Sequence, residues 1–504
     1  MSSIRLAAAA LAAALVPAAQ AQSSSETVVV TGSISERAVA DAPFAIGVVG
    51  RDDLRLAGPQ VNLSEALSRV PGLVVSNRSN YAQDLQISSR GFGARAGFGV
   101  RGLRLLADGI PASGPDGQGQ VSQFDIAGAE RVEVLRGPFS VLYGNSSGGV
   151  ISIFTAPVRR DEVEGDLDVG AFGLRQLRGS VATRLGAGWD LRASASAMSI
   201  DGFRPHSEAQ RRTANVRAGW RAERDSVVIT AGTFSQPADD PLGLDRGQFS
   251  ADPYQTSPLA TQFDTRKEQK QTQAGATWKH RFDEGALRDL QLMGYAGQRS
   301  VIQYLPIAQG PQNNARHGGG VVDFDRDFGG AEARLRFAWT GFELQAGLAL
   351  DTQRDARRGY ENYVLVGGVP QYGVEGRLRR DETDRARTAD AFVQGEWAFA
   401  PAWTASFGVR SGSVKLEADD HYLSNGDDSG ERSFHYTNPV VGVRWQAAPG
   451  LQAYLSMARG FESPTLNEVA YQASGAGGLN TGLDAQTSRQ AELGLKWQIG
   501  RAHV

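Results

Sequence analysis

The 504-residue chain contains no cysteine, which excludes a disulfide framework, a thiolate metal site and a cysteine nucleophile. It also lacks a basic excess. With 52 Lys and Arg against 55 Asp and Glu, and a formal charge of -3, it does not have the balance of a domain that wraps nucleic acid. Long apolar runs are missing too: nothing reaches the ~18 residues that mark a membrane-spanning helix. Mean hydropathy is -0.31, so any membrane-embedded part must be built from strands. The six histidines show neither H-E-x-x-H nor H-x-x-E-H spacing, and Asp427-Asp428 sits in a polar stretch that suits a solvated loop. No nucleophile, base and acid constellation is visible. The sequence therefore predicts no enzyme, no cofactor and no metal site.

Arg5, the uncharged run Leu6 to Val16 and Ala19-Gln20-Ala21 form the charged start, apolar middle and A-x-A end of a secretory signal. Residues 1–21 are expected to be removed. Tryptophan is absent from residues 22–157, whereas all eight (Trp189, Trp220, Trp278, Trp339, Trp397, Trp403, Trp445 and Trp497) follow. That later part repeats one texture, with apolar and polar residues alternating over roughly ten positions. In Trp189 to Ala197 the odd positions are apolar and the even ones polar, as in a strand with one dry and one wet face. From Glu162 onward about 14 such segments can be counted. A soluble β-sandwich alternates in the same way. Against it stand long, numerous strands, apolar faces rich in Ala and Gly, and tryptophans recurring near strand ends, where interfacial belts place them. Residues 236–270, 303–323 and 360–384 are expected as outer loops, and residues 186–188 and 447–450 as short inner turns.

The front half reads as a small α+β domain. Asn62-Leu63-Ser64-Glu65 has capping-box form and Pro71-Gly72 ends the helix it predicts. Arg131 to Leu135 and Gly149 to Phe154 read as strands, with a helical turn over Phe139 to Tyr143 between them. Gly97 to Gly102 matches G-x-G-x-x-G, but a strand-like segment and a turn follow it where a dinucleotide fold needs a long helix.

Several motifs resemble, in order, those of the TonB-dependent outer-membrane receptors. Glu26-Thr27-Val28-Val29-Val30-Thr31-Gly32 is similar to their TonB box, and Leu63 to Leu67 with Val70-Pro71-Gly72-Leu73 to the first plug helix and its exit. Ile87 to Gly93, Leu106 to Pro111, Glu130 to Pro138, Leu142 to Asn145 and Gly148 to Ile151 resemble the plug signature. Ala458 to Pro464 and Glu492 to Lys496 resemble barrel-strand motifs.

The resemblance implies an N-terminal α+β plug domain inside a transmembrane antiparallel β-barrel of about 22 strands, of which about 14 are present. Residues 22–41 would be the TonB-box segment and linker, 42–157 the plug, and 158–497 the partial barrel. Residues 498–504 are expected to be a non-native tail, since they back-translate to a common sequencing-adaptor sequence. The implied location is the outer membrane of a Gram-negative bacterium. The implied partners are TonB, outer-membrane lipid and a metal-chelate ligand, with no nucleic acid.

Thr27, Val28, Val29, Val30 and Thr31 would couple to TonB by strand addition, for which a valine triplet is well suited. The same valines would also suit a short strand of the plug itself. Arg90, Arg95, Arg101 and Arg104 form a basic, glycine-rich stretch fit for an anionic ferric chelate, although pairing with lumen carboxylates would equally account for them. Arg90, Arg136, Glu468 and Glu492 match motifs whose charges hold the plug in the lumen. Residues 240–244 and 114–118 look like features of ferric-dicitrate or siderophore receptors. Cobalamin, a copper complex or a saccharide are the alternative cargoes; a passive porin would have neither plug nor TonB box.

Overall fold

The structure is a computed structural model describing residues 28, 29, 31–77, 79–97, 99–470 and 478–498. The expected signal segment, Thr27, Val30 and residues 499–504 lie outside the described residues.

From Glu162 onward the alternating runs form one antiparallel sheet of 14 strands, ordered strictly along the chain from Glu162–Val169 to Gln486–Trp497. Strand length grows from 8 residues at the first to 23 at Leu378–Ala400. Period-2 geometry sends alternate side chains to opposite faces. On the last strand, Leu493, Leu495 and Trp497 are 80%, 70% and 65% exposed, while Glu492 and Lys496, of the opposite parity, turn inward. The outer face is therefore apolar and the inner face carries Arg, Asp, Gln and Asn. A soluble sandwich would bury its apolar face against a second layer, so this polarity favours a wall facing lipid.

One end of the wall has short turns, and its tryptophans pair across neighbouring strands. Trp189 and Trp220 have ring centroids 6.3 Å apart, Trp339 and Phe342 5.5 Å, and Trp403 and Trp445 5.8 Å. This is an interfacial aromatic girdle. At the opposite end the connections are long and carry their own structure. Helix Arg246–Ala251 starts at a capping box made by Asp245 and Gln248, and Tyr363–Val366 pairs with Val369–Tyr372 as a hairpin.

The front half is a mixed five-stranded sheet in the spatial order Ala45–Gly50, Ala129–Arg136, Gly149–Thr155, Leu103–Ala107, Ile110–Pro111. Gly149–Thr155 runs antiparallel to Ala129–Arg136 and parallel to Leu103–Ala107. Leu54, Leu63, Leu67, Leu103, Leu105 and Ile151 pack its main core. A second core joins Val29, Phe44, Leu135 and Phe139 to Val440 of the wall, so the domain's apolar surface continues into the barrel.

The helix expected from residue 62 is a four-residue one, Ser64–Leu67, and Asn62 does not cap it. Glu65 instead reaches back to accept from the backbone N–H groups of Gln60, Val61 and Asn62, at 2.6, 3.0 and 2.9 Å. The carboxylate three residues on organises the preceding turn rather than closing a reciprocal box. The expected turn at residue 139 is a short 3-10 helix, Pro138–Tyr143, bracketed by Gly137 (φ 86°) and Gly144 (φ 94°). After the G-x-G-x-x-G stretch comes the strand Leu103–Ala107, not a helix.

Candidate functional site

Glu492 lies on the last wall strand at a position that alternation turns toward the plug. Its carboxylate accepts from the Arg90 guanidinium, from the Tyr454 hydroxyl at 2.6 Å and from the Ala45 backbone N–H at 3.2 Å. Arg136, the last residue of a plug strand, donates to the Pro71 carbonyl and feels both the repulsion of Arg90 and the attraction of Glu492. Burial holds its pKa below the usual guanidinium value. A side chain at Gly137 would strike the Glu492 carboxylate, and its positive φ also favours glycine.

Arg90, Arg136 and Glu492 thus meet at one place, and Glu468 does not join them. Glu468 pairs with Arg101 instead. It belongs to the short helix Leu466–Val469, where it and Thr465 form a capping box, with Glu468 N–H to Thr465 Oγ1 at 3.2 Å and Thr465 N–H to Glu468 Oε2 at 2.9 Å. That local bonding fixes its carboxylate at the outer mouth, past the end of the strand Leu451–Glu462.

Arg90, Arg95 and Arg101 line one cleft of about 200 Å³ together with Glu462, Glu468 and Gln486. Arg95 donates to Gln486 Oε1 at 2.8 Å, and Arg101 to the Ser463 carbonyl at 2.9 Å. Arg104 is the exception among the four candidate arginines. It is only 7% exposed and pairs with Asp351 of the wall at 3.1 Å, whose other oxygen accepts from Tyr295 at 2.6 Å. Leu103 and Leu105 point into the plug core, so strand parity sends Arg104 to the opposite face and onto the wall. For this residue the geometry is that of a plug anchor.

At the short-turn end, Val28–Val29 pairs antiparallel with Arg37–Ala38. Val29 is fully buried. Thr31 N–H donates to Glu133 Oε2 and Gly32 N–H to the Tyr143 hydroxyl, both at 2.8 Å. The segment is tied to the wall through Arg37 and Glu396 at 2.8 Å, and Lys496 donates to the carbonyls of Val39 and Ala42 at 2.8 Å. In this structure the described part of the Thr27 to Thr31 segment belongs to a separate two-stranded sheet packed on the plug core, at the end opposite the arginine cleft.

Further plug contacts come from inward wall residues that no motif signals. Arg410 bridges Asp390 at 2.8 Å and the Leu142 carbonyl at 3.2 Å. Gln490 donates to the Ser147 carbonyl at 2.8 Å, and from the connecting helix Leu466–Val469, outside the wall strands, the Leu466 N–H donates to buried Asp116 of the plug at 3.2 Å. Parity of the alternating runs would have placed the wall residues inward, but not which plug atom each meets. Among the described residues no group of His, Asp and Glu is arranged to hold a metal ion.

The family model for the TonB dependent receptor-like beta-barrel matches residues 168–504, and that for the TonB-dependent Receptor Plug Domain matches residues 38–150. The iron-regulated outer membrane virulence protein of Vibrio cholerae is 26% identical over 519 aligned positions, covering 96% of this chain and 68% of that protein. The ferric citrate transporter FecA superposes with a TM-score of 0.73 at 18% identity, over 91% of this chain and 68% of its own. The siderophore receptor PiuA from Acinetobacter baumannii also gives 0.73, at 14% identity, over 92% of this chain and 71% of its own. At those identities the structural likeness is one of fold.

Proposed function

This chain belongs to the TonB-dependent receptors of the Gram-negative outer membrane, and from that membership we propose that it takes up an anionic ferric chelate using work delivered by TonB. Such receptors are transporters, so no covalent chemistry is asked of these residues. The observation that carries the reading is the cleft in which Arg90, Arg95 and Arg101 converge near the long-loop end. Arg90 and Arg101 face carboxylates, whereas Arg95 donates to the neutral Gln486. An anionic chelate entering there gains the Arg95 charge and competes for Arg101, which an uncharged cargo does not. The iron-related names of the Vibrio cholerae relative and of FecA support the same cargo class.

Energy enters at the other end. Val28–Val29 leaves its hairpin with Arg37–Ala38 and offers the same main-chain groups to TonB by strand addition. Pull on Thr31 and Gly32 then reaches Glu133 and Tyr143 directly, and so the plug strand that ends beside Glu492.

The reading is tested by titrating ferric citrate and a ferric catecholate against cells carrying the receptor with Arg95→Ala and Arg101→Ala. Surface binding of the recognised chelate is expected to weaken about tenfold. Undiminished binding of both chelates, or binding of cobalamin or a copper complex in their place, overturns it.

A further inference from the structure

Between the wall strands Gly430–Ala448 and Leu451–Glu462 the ladder covers only the lower parts, ending at Val440 opposite Ala458. The next residue up, Pro439, has no N–H to donate, and above it the two strands part. Among the described residues, 430–439 pair only on their other side, with Trp403–Asp420. Phe461 shows the parting most clearly. It has the parity of the exposed Leu455 and Met457, yet it is 4% exposed and stacks on Tyr436, of inward parity, with ring centroids 4.7 Å apart. Its ring thus turns across the gap, from the lipid side toward the lumen.

The opening lies at the height of the outer leaflet. Ala458 faces Gln490 on the last strand, and from Trp497 in the girdle to Gln490 that strand climbs about 18 Å, taking ~3.3 Å per residue and a tilt near 40°. The apolar band is ~25 Å tall, so the gap begins inside it. Open main chain at that depth is costly unless something meets it.

A notch of about 720 Å³ occupies the gap. Its lining comes from both faces of the wall, with exposed Ala389 and Ala391 on the lipid side and Gly412, Tyr436 and Phe461 on the inner side. Small residues along it leave a slot for a slender chain, and Ser411, Ser413 and Thr437 add hydroxyls suited to an amide. Tyr436 is pinned, its hydroxyl donating to Asp390, whereas Phe461 is held by packing alone. Behind Phe461 lies the arginine cleft. Phe461, Leu466 and Val469 share one apolar cluster, and their chain neighbours Glu462 and Glu468 line the cleft with Arg90, Arg95 and Arg101. The stack of Phe461 on Tyr436 therefore separates a slot at lipid level from the cationic site.

We propose, resting on the ferric-chelate reading above, that the notch is a lateral portal for the acyl tail of an amphiphilic ferric chelate. The anionic head enters the arginine cleft while the tail remains in the outer leaflet. Turning Phe461 off Tyr436 joins notch and cleft. The tail then lies over Ala389 and Ala391, and the amide that links it to the head meets the hydroxyls and the open main chain beside Thr437. The convex face of a second barrel would bridge this slot without filling it.

The test titrates two ferric hydroxamate–citrate chelates, identical but for a dodecanoyl tail, against the full-length receptor in phospholipid nanodiscs. The acylated chelate is expected to bind about tenfold more tightly. Ala391→Trp, which fills the slot, is expected to bring it down to the affinity of the bare one. Because the chain has no cysteine, a bimane on Thr437→Cys reports the notch alone, and it is expected to respond to the acylated chelate only. Equal affinity of the two chelates for the unsubstituted receptor overturns the portal and leaves the ferric-chelate reading in place. Binding of neither defeats that reading and the portal together. A preference that survives Ala391→Trp puts the tail in the surrounding lipid, and a bimane indifferent to the acylated chelate marks a slot held by membrane phospholipid; each overturns the portal.

Discussion

Replacing Glu492 with alanine strands three donors at once: the Arg90 guanidinium, the Tyr454 hydroxyl and the Ala45 backbone N–H. Each buried group left without its partner costs about 1–3 kcal/mol, and solvent recovers part of the loss at half-exposed Arg90. The plug of Glu492→Ala is therefore expected to release earlier in urea and to be cut faster by added protease, with Glu492→Gln in between. Identical release from all three forms contradicts the anchoring role. The meeting of Arg90, Arg136 and Glu492 was legible because Glu492 sits on an alternating strand whose inward parity can be counted. Glu468 was not, because its position depends on a capping box in an irregular connection. Arg104 takes the second of the two roles the sequence left open, pairing with a wall carboxylate, and what decides it is strand parity, which turns it onto Asp351.

At the scale of elements, periodicity told most about the wall and least about the plug. The segments Trp189–Ile200 and Gln486–Trp497 appear where alternation placed them, since a wall strand has one lipid face and one wet face along its whole length. The central plug strands Ala129–Arg136 and Gly149–Thr155 carry consecutive buried residues on both faces and the helix near residue 64 is a single turn, so their order in the sheet follows from tertiary packing that no local pattern encodes.

The Val28–Val29 hairpin sets a second expectation. Proline at Val29 removes a main-chain donor and blocks strand addition, so Val29→Pro is expected to abolish uptake while surface binding of the chelate stays within about twofold. Uptake at the normal rate in that variant disproves coupling through the segment.

Burial raises the carboxyl pKa of plug residues Asp108, Asp116 and Asp125 above the ordinary 3.8. The folded plug then holds these protons more tightly than the unfolded chain, so their contribution is most favourable at low pH and declines as pH rises through the raised values. Asp116→Asn is expected to flatten the fall in plug stability from about pH 4 upward, measured by urea unfolding at graded pH. An unchanged slope contradicts the buried-carboxyl account.

For the whole molecule, the division into a compact mixed domain and a long alternating sheet was visible in where the tryptophans lie and where alternation begins. The relation between the two was not, because it rests on many single contacts such as Arg410 with Leu142 and Gln490 with Ser147, each between residues far apart in sequence. The molecule they build has an arginine cleft near the long-loop end and the short Val28–Val29 pairing with Arg37–Ala38 at the short-turn end. The measurement that tests this account most directly is uptake of radiolabelled ferric citrate and ferric catecholate by the host, with its locus intact or deleted and with TonB present or absent. The account predicts locus-dependent uptake of one ferric chelate that falls to background without TonB. Uptake that persists without TonB, or iron uptake indifferent to the locus, contradicts it.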